Sequence, residues 1–221
     1  MINKFEFNES TGGFDSHIKN SIPAYDILVQ ETTILANHWL NDDSLPVIDI
    51  GGSTGKLMDL IQQKSQINTP NKFFSIDPTM FEWVANDSII HVNEEAQKYI
   101  QTITQPIQIA FSLFTLQFLT NDIRHQILSE ISDRLSSNGA FFVAEKFYME
   151  DSEYQELYSV VLREMKRTSF KDADILDKDY KLLKHLKLRK EIEFIKEMRE
   201  HGFRCMKYWQ SLHFNAYICT K

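Results

Sequence analysis

The chain has 221 residues, 43% hydrophobic and 25% charged, with a net charge of −7. That length and apolar share suffice for one globular domain, while the acidic balance excludes sequence-independent binding along a broad phosphate backbone. Cys205 and Cys219 are too few for a disulfide framework and lack metal-ligand spacing, so a reduced, cytoplasmic setting and no metal are expected. No apolar run reaches the ~18 residues of a membrane span, and Met1 to Ser21, with Lys4, Glu6, Glu9 and Asp15 among isolated apolar residues, has no signal-peptide core.

In chain order, Tyr25 to Leu40 carries Ile27, Leu28, Ile34 and Leu35 at helical spacing. Pro46 to Ile50 is a short apolar run ending in glycines, a buried strand. Gly55 to Ser65 returns to helical spacing through Leu57, Leu60 and Ile61. Lys72 to Ile76 predicts a second strand, stopped at Asp77-Pro78 because the residue before proline is driven out of helical conformation. Ser88 to Val92 and Ile107 to Leu113 predict the third and fourth strands. A helix from Asp122 to Leu135 then reaches Asn138-Gly139, whose turn leads into a fifth strand, Ala140 to Glu145.

After that the texture changes. Ser152 to Thr168 and Asp179 to His201 are long amphipathic segments with no strand between them, and Arg204 to Tyr208 with His213 to Thr220 predict a closing antiparallel pair. The expectation is one Rossmann-like α/β domain over residues 1–221. Its sheet has seven mostly parallel strands with helices on both faces, and a helical insertion over 148–201 precedes the last two strands. Ligands of such sheets bind beyond the carboxyl ends of the strands. The basic run Lys181, Lys184, His185, Lys187, Arg189 and Lys190, interleaved with leucines, reads as a solvated helix face.

The loop Asp49-Ile50-Gly51-Gly52-Ser53-Thr54-Gly55-Lys56 carries the functional signal. A phosphate-binding P-loop needs glycine where Ile50 stands and Ser or Thr where Leu57 stands; a G-x-G-x-x-G fingerprint needs glycines at Ser53 and Lys56. Both fail. What remains is an acidic residue and a tight glycine turn between strand and helix, where a backbone without Cβ lets a ligand approach closely. S-adenosylmethionine carries no phosphate, and the loop amides could meet its methionine carboxylate. Asp77, after strand two, is placed to accept from both ribose hydroxyls, and Glu94 and Glu95, after strand three, to meet the adenine. Each alone is also an ordinary turn residue; their order and spacing favour the cofactor.

Phe114-Thr115-Leu116-Gln117-Phe118-Leu119, Glu145-Lys146-Phe147, Phe14-Asp15, Ser21-Ile22-Pro23-Ala24-Tyr25, Trp209 and Phe214-Asn215 together resemble the carboxy-S-adenosylmethionine tRNA carboxymethyltransferase family of class I methyltransferases. The resemblance runs from about Phe14 to the C-terminus and implies carboxymethylation of a tRNA wobble uridine. By position it implies cofactor contacts at Tyr25, Gly51, Gly52, Ser53, Asp77, Pro78, Glu95 and Ala96, with Leu113 replacing an asparagine and keeping only a backbone contact. It also implies an arginine for the cofactor's extra carboxylate, and alignment on Lys178 and Gly202-Phe203 places Asp179 there, the wrong sign for that role. Ordinary S-adenosyl-L-methionine and methyl transfer are therefore expected ahead of carboxy-S-adenosyl-L-methionine.

In-line methyl transfer asks mainly for alignment and exclusion of water. Tyr25, Glu145, Lys146, Trp209 and His213 are candidates to face the acceptor, none with the signature of a base. Trp209 and Tyr208 are candidate stacking platforms or ordinary core residues, and His213 is read as structural. A small-molecule acceptor is favoured over tRNA, with a non-catalytic cofactor binder as the third reading. Tyr154, Leu157, Tyr158, Val161 and Met165 form the expected face of a homodimer, or pack on their own sheet.

Overall fold

The computed structural model describes residues 13–40, 44–65 and 72–221, so the reading of residues 1–12 lies outside the described residues. The elements run α1 (Gly13–Ser21), α2 (Tyr25–Trp39), β1 (Val47–Ile50), α3 (Lys56–Lys64), β2 (Phe73–Ile76), β3 (Ile89–Val92), α4 (Ala96–Thr102), β4 (Ile107–Leu113), α5 (Asn121–Arg134) and β5 (Leu135–Tyr148). They continue with α6 (Ser152–Lys166), α7 (Asp172–His185), β6 (Arg189–Lys190), α8 (Glu191–Glu200), β7 (Arg204–Ser211) and β8 (Phe214–Thr220). The sheet order is β3-β2-β1-β4-β5-β8-β7, with the two-residue β6 beside β5. Strands β1 to β5 pair in parallel, and β8 runs antiparallel between β5 and β7.

The alternation of side chains along a strand divides the core in two. Val47 and Ile109 point to one face, where they meet Leu57, Met58 and Ile61 of α3. Ile48, Ile50 and Ala110 point to the other, against Ile127, Leu128 and Ile131 of α5 and Phe194 and Met198 of α8. Because both faces are covered, β1 is buried at every position, which is why these strands are apolar runs rather than alternations. Each such fully buried side chain contributes roughly 1.5–3 kcal/mol. Strand order reverses between β1 and β4, and the crevice opens there, beyond their carboxyl ends.

Four features differ from the sequence expectation. Helices α1 and α4 stand where no element was read. Strand β5 begins at Leu135: Ile107 pairs with Leu135 and Ile109 with Ala140, so Asn138 and Gly139 bulge within the strand instead of preceding it. The segment read as unbroken helix is divided by β6, because Arg189 is drawn to Glu145 of β5 by two hydrogen bonds of 3.1 and 3.0 Å. Finally, Cys205 and Cys219 oppose each other across β7 and β8 and form a disulfide, which corrects the reading of a fully reduced chain. Only the hairpin register brings them together.

The segment 148–201 has two parts. α8 buries Phe194 and Met198 against Phe147 and Tyr217 and belongs to the layer covering the sheet. α6 and α7 lie over the crevice instead, contributing Leu162, Lys166, Lys178 and Leu182 to its wall.

Candidate cofactor and substrate cleft

The crevice is a cleft of about 450 Å³. One side is formed by strand ends. After β1 the chain turns through Gly51, at φ +74°, and Ser53, at φ +45°. A Cβ on Gly51 would lie 2.1 Å from Thr115 Oγ1, and one on Gly52 would lie 2.3 Å from Ser75 Oγ. Glycine at both positions is therefore a steric requirement. The left-handed Ser53 is strained for a residue with a side chain, and it is held by its amide, which donates to Asp77 Oδ2 at 3.2 Å.

The glycine amides of the loop are bonded within the protein. Gly51 and Gly52 N–H both donate to Ile76 O, at 2.8 and 3.2 Å, and Gly55 N–H donates to Gly52 O at 2.8 Å. This corrects the expectation that these amides meet a carboxylate, since the ladder with β2 satisfies them first. The loop offers a flat backbone surface, and the polar groups at the cleft come from side chains.

Asp77 is the principal one. It ends β2, accepts from Thr79 N–H at 2.8 Å as well as from Ser53, and lines the cleft with lone pairs to spare. Burial raises its carboxyl above the usual range, and the backbone donors from Thr79 and Ser53 oppose that. Pro78, Glu95, Ala96 and Leu113 also line the cleft. Glu95 caps α4 and pairs with Lys98 at 2.9 Å, while Leu113 O accepts the Thr115 hydroxyl at 3.4 Å.

Tyr25, Asp49 and Gly52 stand behind this wall. Asp49 is 4% exposed; burial, then the nearby Asp77 charge, push its carboxyl up to about 7. Tyr25 packs beside Phe114 at a ring separation of 6.4 Å, and burial, then Asp49, push its hydroxyl up.

The hexapeptide after β4 now has a physical role. Phe114 adopts φ +62° and turns the chain into a short 3-10 helix, Leu116–Phe118. Thr115 packs on Gly51. Gln117 Oε1 accepts from Lys146 N–H at 2.8 Å and Gln117 O from Lys187 N–H at 2.6 Å, which ties β5 and the chain after α7 to the cleft floor.

The opposite side is cationic and comes from elements distant in sequence. Lys146 of β5, Lys166 at the end of α6 and Lys178 of α7 all line it. Burial lowers Lys146 and Lys178 to about 8 each, Lys146 with the further repulsion of Lys166. Asp179 is absent from the cleft wall; it pairs with Lys166 at 3.2 Å and Arg163 at 3.6 Å. The wrong-sign argument drawn from its alignment therefore loses its force, because its charge is already matched by two cations. α1 closes the mouth, tied by Asp15 to Thr54 at 2.9 Å, by Phe14 tilted against Phe81 at a ring separation of 5.0 Å, and by His17 against Lys178.

Of the acceptor-side candidates, only Lys146 reaches the cleft. Glu145 points the other way, 1% exposed, into a buried network with Arg189, Glu197 and Arg124. Trp209 packs with Ile22, Leu28 and Phe114, and the Tyr208 hydroxyl contacts Thr32 Oγ1 at 2.6 Å, so neither is a stacking platform. His213 is buried in a turn, with Gln155 at 3.2 Å from its ring, and burial lowers it to about 4, hence neutral. The basic run at the end of α7 and after it is dispersed: Lys181 pairs with Asp177, Lys190 with Glu150, and His185 lines the cleft. Sequence reasoning missed His17, Ser21 and Lys166. The one signal for Lys166 was a lysine four residues after Leu162, on the apolar side of α6.

The strand order, the reversed β8 and the glycine turn facing an acidic residue after β2 define the class I S-adenosylmethionine-dependent methyltransferase fold. In sequence the chain is similar to proteins named carboxy-S-adenosyl-L-methionine synthase. The chain is 27% identical over 222 residues to that of Cronobacter sakazakii, covering 94% of this chain and 87% of that one. It is 24% identical over 237 residues to that of Pasteurella multocida, covering 100% and 95%. Among solved structures, human N-acetylserotonin methyltransferase in complex with SAM aligns with a TM-score of 0.55 at 13% identity, over 86% of this chain and 51% of that one. The chain thus spans about half the length of that enzyme. A putative methyltransferase in complex with the Haloferax volcanii Trm112 methyltransferase activator aligns with a TM-score of 0.53 at 12% identity, over 94% and 95%. No family model matches the chain. The resemblance seen in the sequence named proteins that use the carboxylated sulfonium; these relatives are named for making it. No helix among the described residues is long and apolar enough to cross a membrane.

Proposed function

We propose that the chain binds S-adenosyl-L-methionine across the β1 and β2 ends and transfers its methyl group to a small molecule entering from the α6–α7 side. The observation that carries this is the junction of Gly51, Ser53 and Asp77: a wall without side chains beside a carboxylate that still has acceptor capacity. Asp77 is assigned the ribose hydroxyls, Glu95 and Ala96 the adenine, and Asp49 the cationic end of the ligand from behind the glycine wall. The closed cleft excludes water and aligns the acceptor with the sulfonium. A macromolecular acceptor such as tRNA fits less well, because α1 covers the mouth with Phe14, His17 and Ser21 and the chain is acidic overall, with a net charge of −7.

A second reading follows from the relatives' names and from Asp179 being held away from the cleft: the chain makes or holds carboxy-S-adenosyl-L-methionine. Mass spectrometry of purified protein incubated with S-adenosylmethionine and a cell metabolite fraction distinguishes the readings. S-adenosylhomocysteine with a methylated metabolite supports the first, and a carboxylated sulfonium supports the second. Cofactor binding with neither product leaves a non-catalytic binder. We further propose a cytoplasmic homodimer through α6, where Tyr154, Leu157 and Met165 are exposed; light scattering that gives a monomer at high concentration would refute the dimer.

A further inference from the structure

We propose that Lys146, Lys166 and Lys178 form a binding subsite for a small anionic second substrate, a carboxylate or a phosphate. This deepens the reading above and rests on it for the identity of the neighbouring cofactor.

The argument begins with a charge imbalance. Three ammonium groups line one side of a single cleft, and the carboxylate nearest to them, Asp179, is shared between Lys166 and Arg163. Among the described residues, the Lys146 ammonium has no hydrogen-bond or ion-pair partner; its recorded contact is the Phe214 ring, 5.7 Å from ammonium to centroid. Among the described residues, the hydrogen-bond partners of the Lys178 ammonium are the His17 ring and Ser21 Oγ, the latter at 3.2 Å, and the Asp179 charge attracts both Lys178 and Lys146 without forming an ion pair with either. The acidic residues that line the cleft, Asp77 and Glu95, belong to the opposite, β2 and α4 side, and Glu95 is paired with Lys98.

Three lysines and Arg163 facing the single carboxylate of Asp179 leave an excess of positive charge partly removed from water, which is costly. The surrounding wall is apolar, with Leu162, Leu182, Leu186 and Phe214, which strengthens any charge interaction made there. An anion inserted between β5, α6 and α7 supplies the missing counter-charge. Lysines are point charges on flexible stems rather than planar forks, so the site selects for charge and size and tolerates either carboxylate or phosphate geometry. The same subsite serves a methyl acceptor or a carboxyl donor, and it stands on residues that converge only in the folded chain.

The test uses the full chain saturated with S-adenosylhomocysteine, with inorganic phosphate and malonate as probes in calorimetry and thermal shift. Each probe is expected to raise the melting temperature of the S-adenosylhomocysteine complex, and the tighter of the two assigns the anion. Lys146→Gln and Lys178→Gln are expected to weaken the anion at least tenfold while changing S-adenosylhomocysteine affinity less than threefold. Lys146→Arg, which keeps the charge, is expected to restore the effect. The exposed Lys181→Gln is expected to change neither. Equal anion effects in wild type and both glutamine variants would overturn the proposal. So would a loss of S-adenosylhomocysteine affinity without any anion effect, which would assign the lysines to the cofactor's own tail. Lysine-dependent anion binding with no S-adenosylhomocysteine binding would uphold the subsite and defeat the cofactor reading instead.

Discussion

Replacing Asp49 with asparagine isolates the electrostatics of the cleft's rear wall. Its carboxyl is 4% exposed and raised from 3.8 to about 7, which corresponds to about 4 kcal/mol of destabilisation of the ionised form, at about 1.4 kcal/mol per tenfold. The folded protein therefore holds this proton more tightly than the unfolded chain. The linked stability is fully present below about pH 4, declines as pH rises, and is lost above about pH 7. Asp49→Asn keeps the shape and removes the titration. In thermal unfolding of the ligand-free protein, the difference between variant and wild type should be small near pH 4 and reach roughly 8–16 °C by pH 8, since each kcal/mol moves a domain of this size by roughly 2–4 °C. Ligand binding gives the opposite sign. A bound ammonium or sulfonium favours the ionised carboxylate, so wild-type affinity for S-adenosylmethionine should rise between pH 6 and pH 7, by up to tenfold per pH unit, and then level off. The variant should bind more weakly at pH 8 and show no such rise. Parallel melting profiles for the two proteins across that range, together with equal slopes of affinity against pH, would refute the argument.

Gly51→Ala places a methyl 2.1 Å from Thr115 Oγ1 at a backbone φ of +74°. S-adenosylhomocysteine binding measured by calorimetry should fall at least tenfold, and the melting temperature should drop, because both the strain and the clash oppose the native turn. Asp77→Ala removes the acceptor held by Ser53 and Thr79. It should weaken adenosine and S-adenosylhomocysteine by similar factors, about tenfold or more, as hydrogen bonds to a charged group contribute roughly 1.5–3 kcal/mol; a loss confined to S-adenosylhomocysteine would place Asp77 at the amino-acid end. Arg189→Met leaves Glu145 buried without the forked partner that lowers its carboxyl against burial. Urea unfolding at pH 8 should show a loss of about 3–5 kcal/mol, smaller at pH 5 where Glu145 takes up a proton.

The parallel strands were legible because both of their faces are buried, which leaves an unbroken apolar run ending at each turn. The strand-end side of the cleft was legible for a related reason. Gly51, Ser53, Asp77, Pro78, Glu95 and Ala96 follow directly on strands β1, β2 and β3, and in a parallel sheet the ends of the strands converge by topology alone. Tyr25 and Asp49 reach the same region from behind the wall. Elements α1 and α4 were not legible, since α1 is short, has no buried residue of its own and is fixed by contacts with Thr54, Phe81 and Lys178.

Local pattern thus determined the sheet, its glycine turn and the acidic residue facing that turn, because periodicity and strand-end chemistry are properties of neighbouring residues. Tertiary structure alone decided where the loop amides point, how Asp179 is neutralised, which of two adjacent residues, Glu145 or Lys146, faces the cleft, and that Cys205 meets Cys219. The cationic side required it most of all: Lys146, Lys166 and Lys178 belong to three different elements, and only packing of α6 and α7 over β5 brings their charges to one cleft.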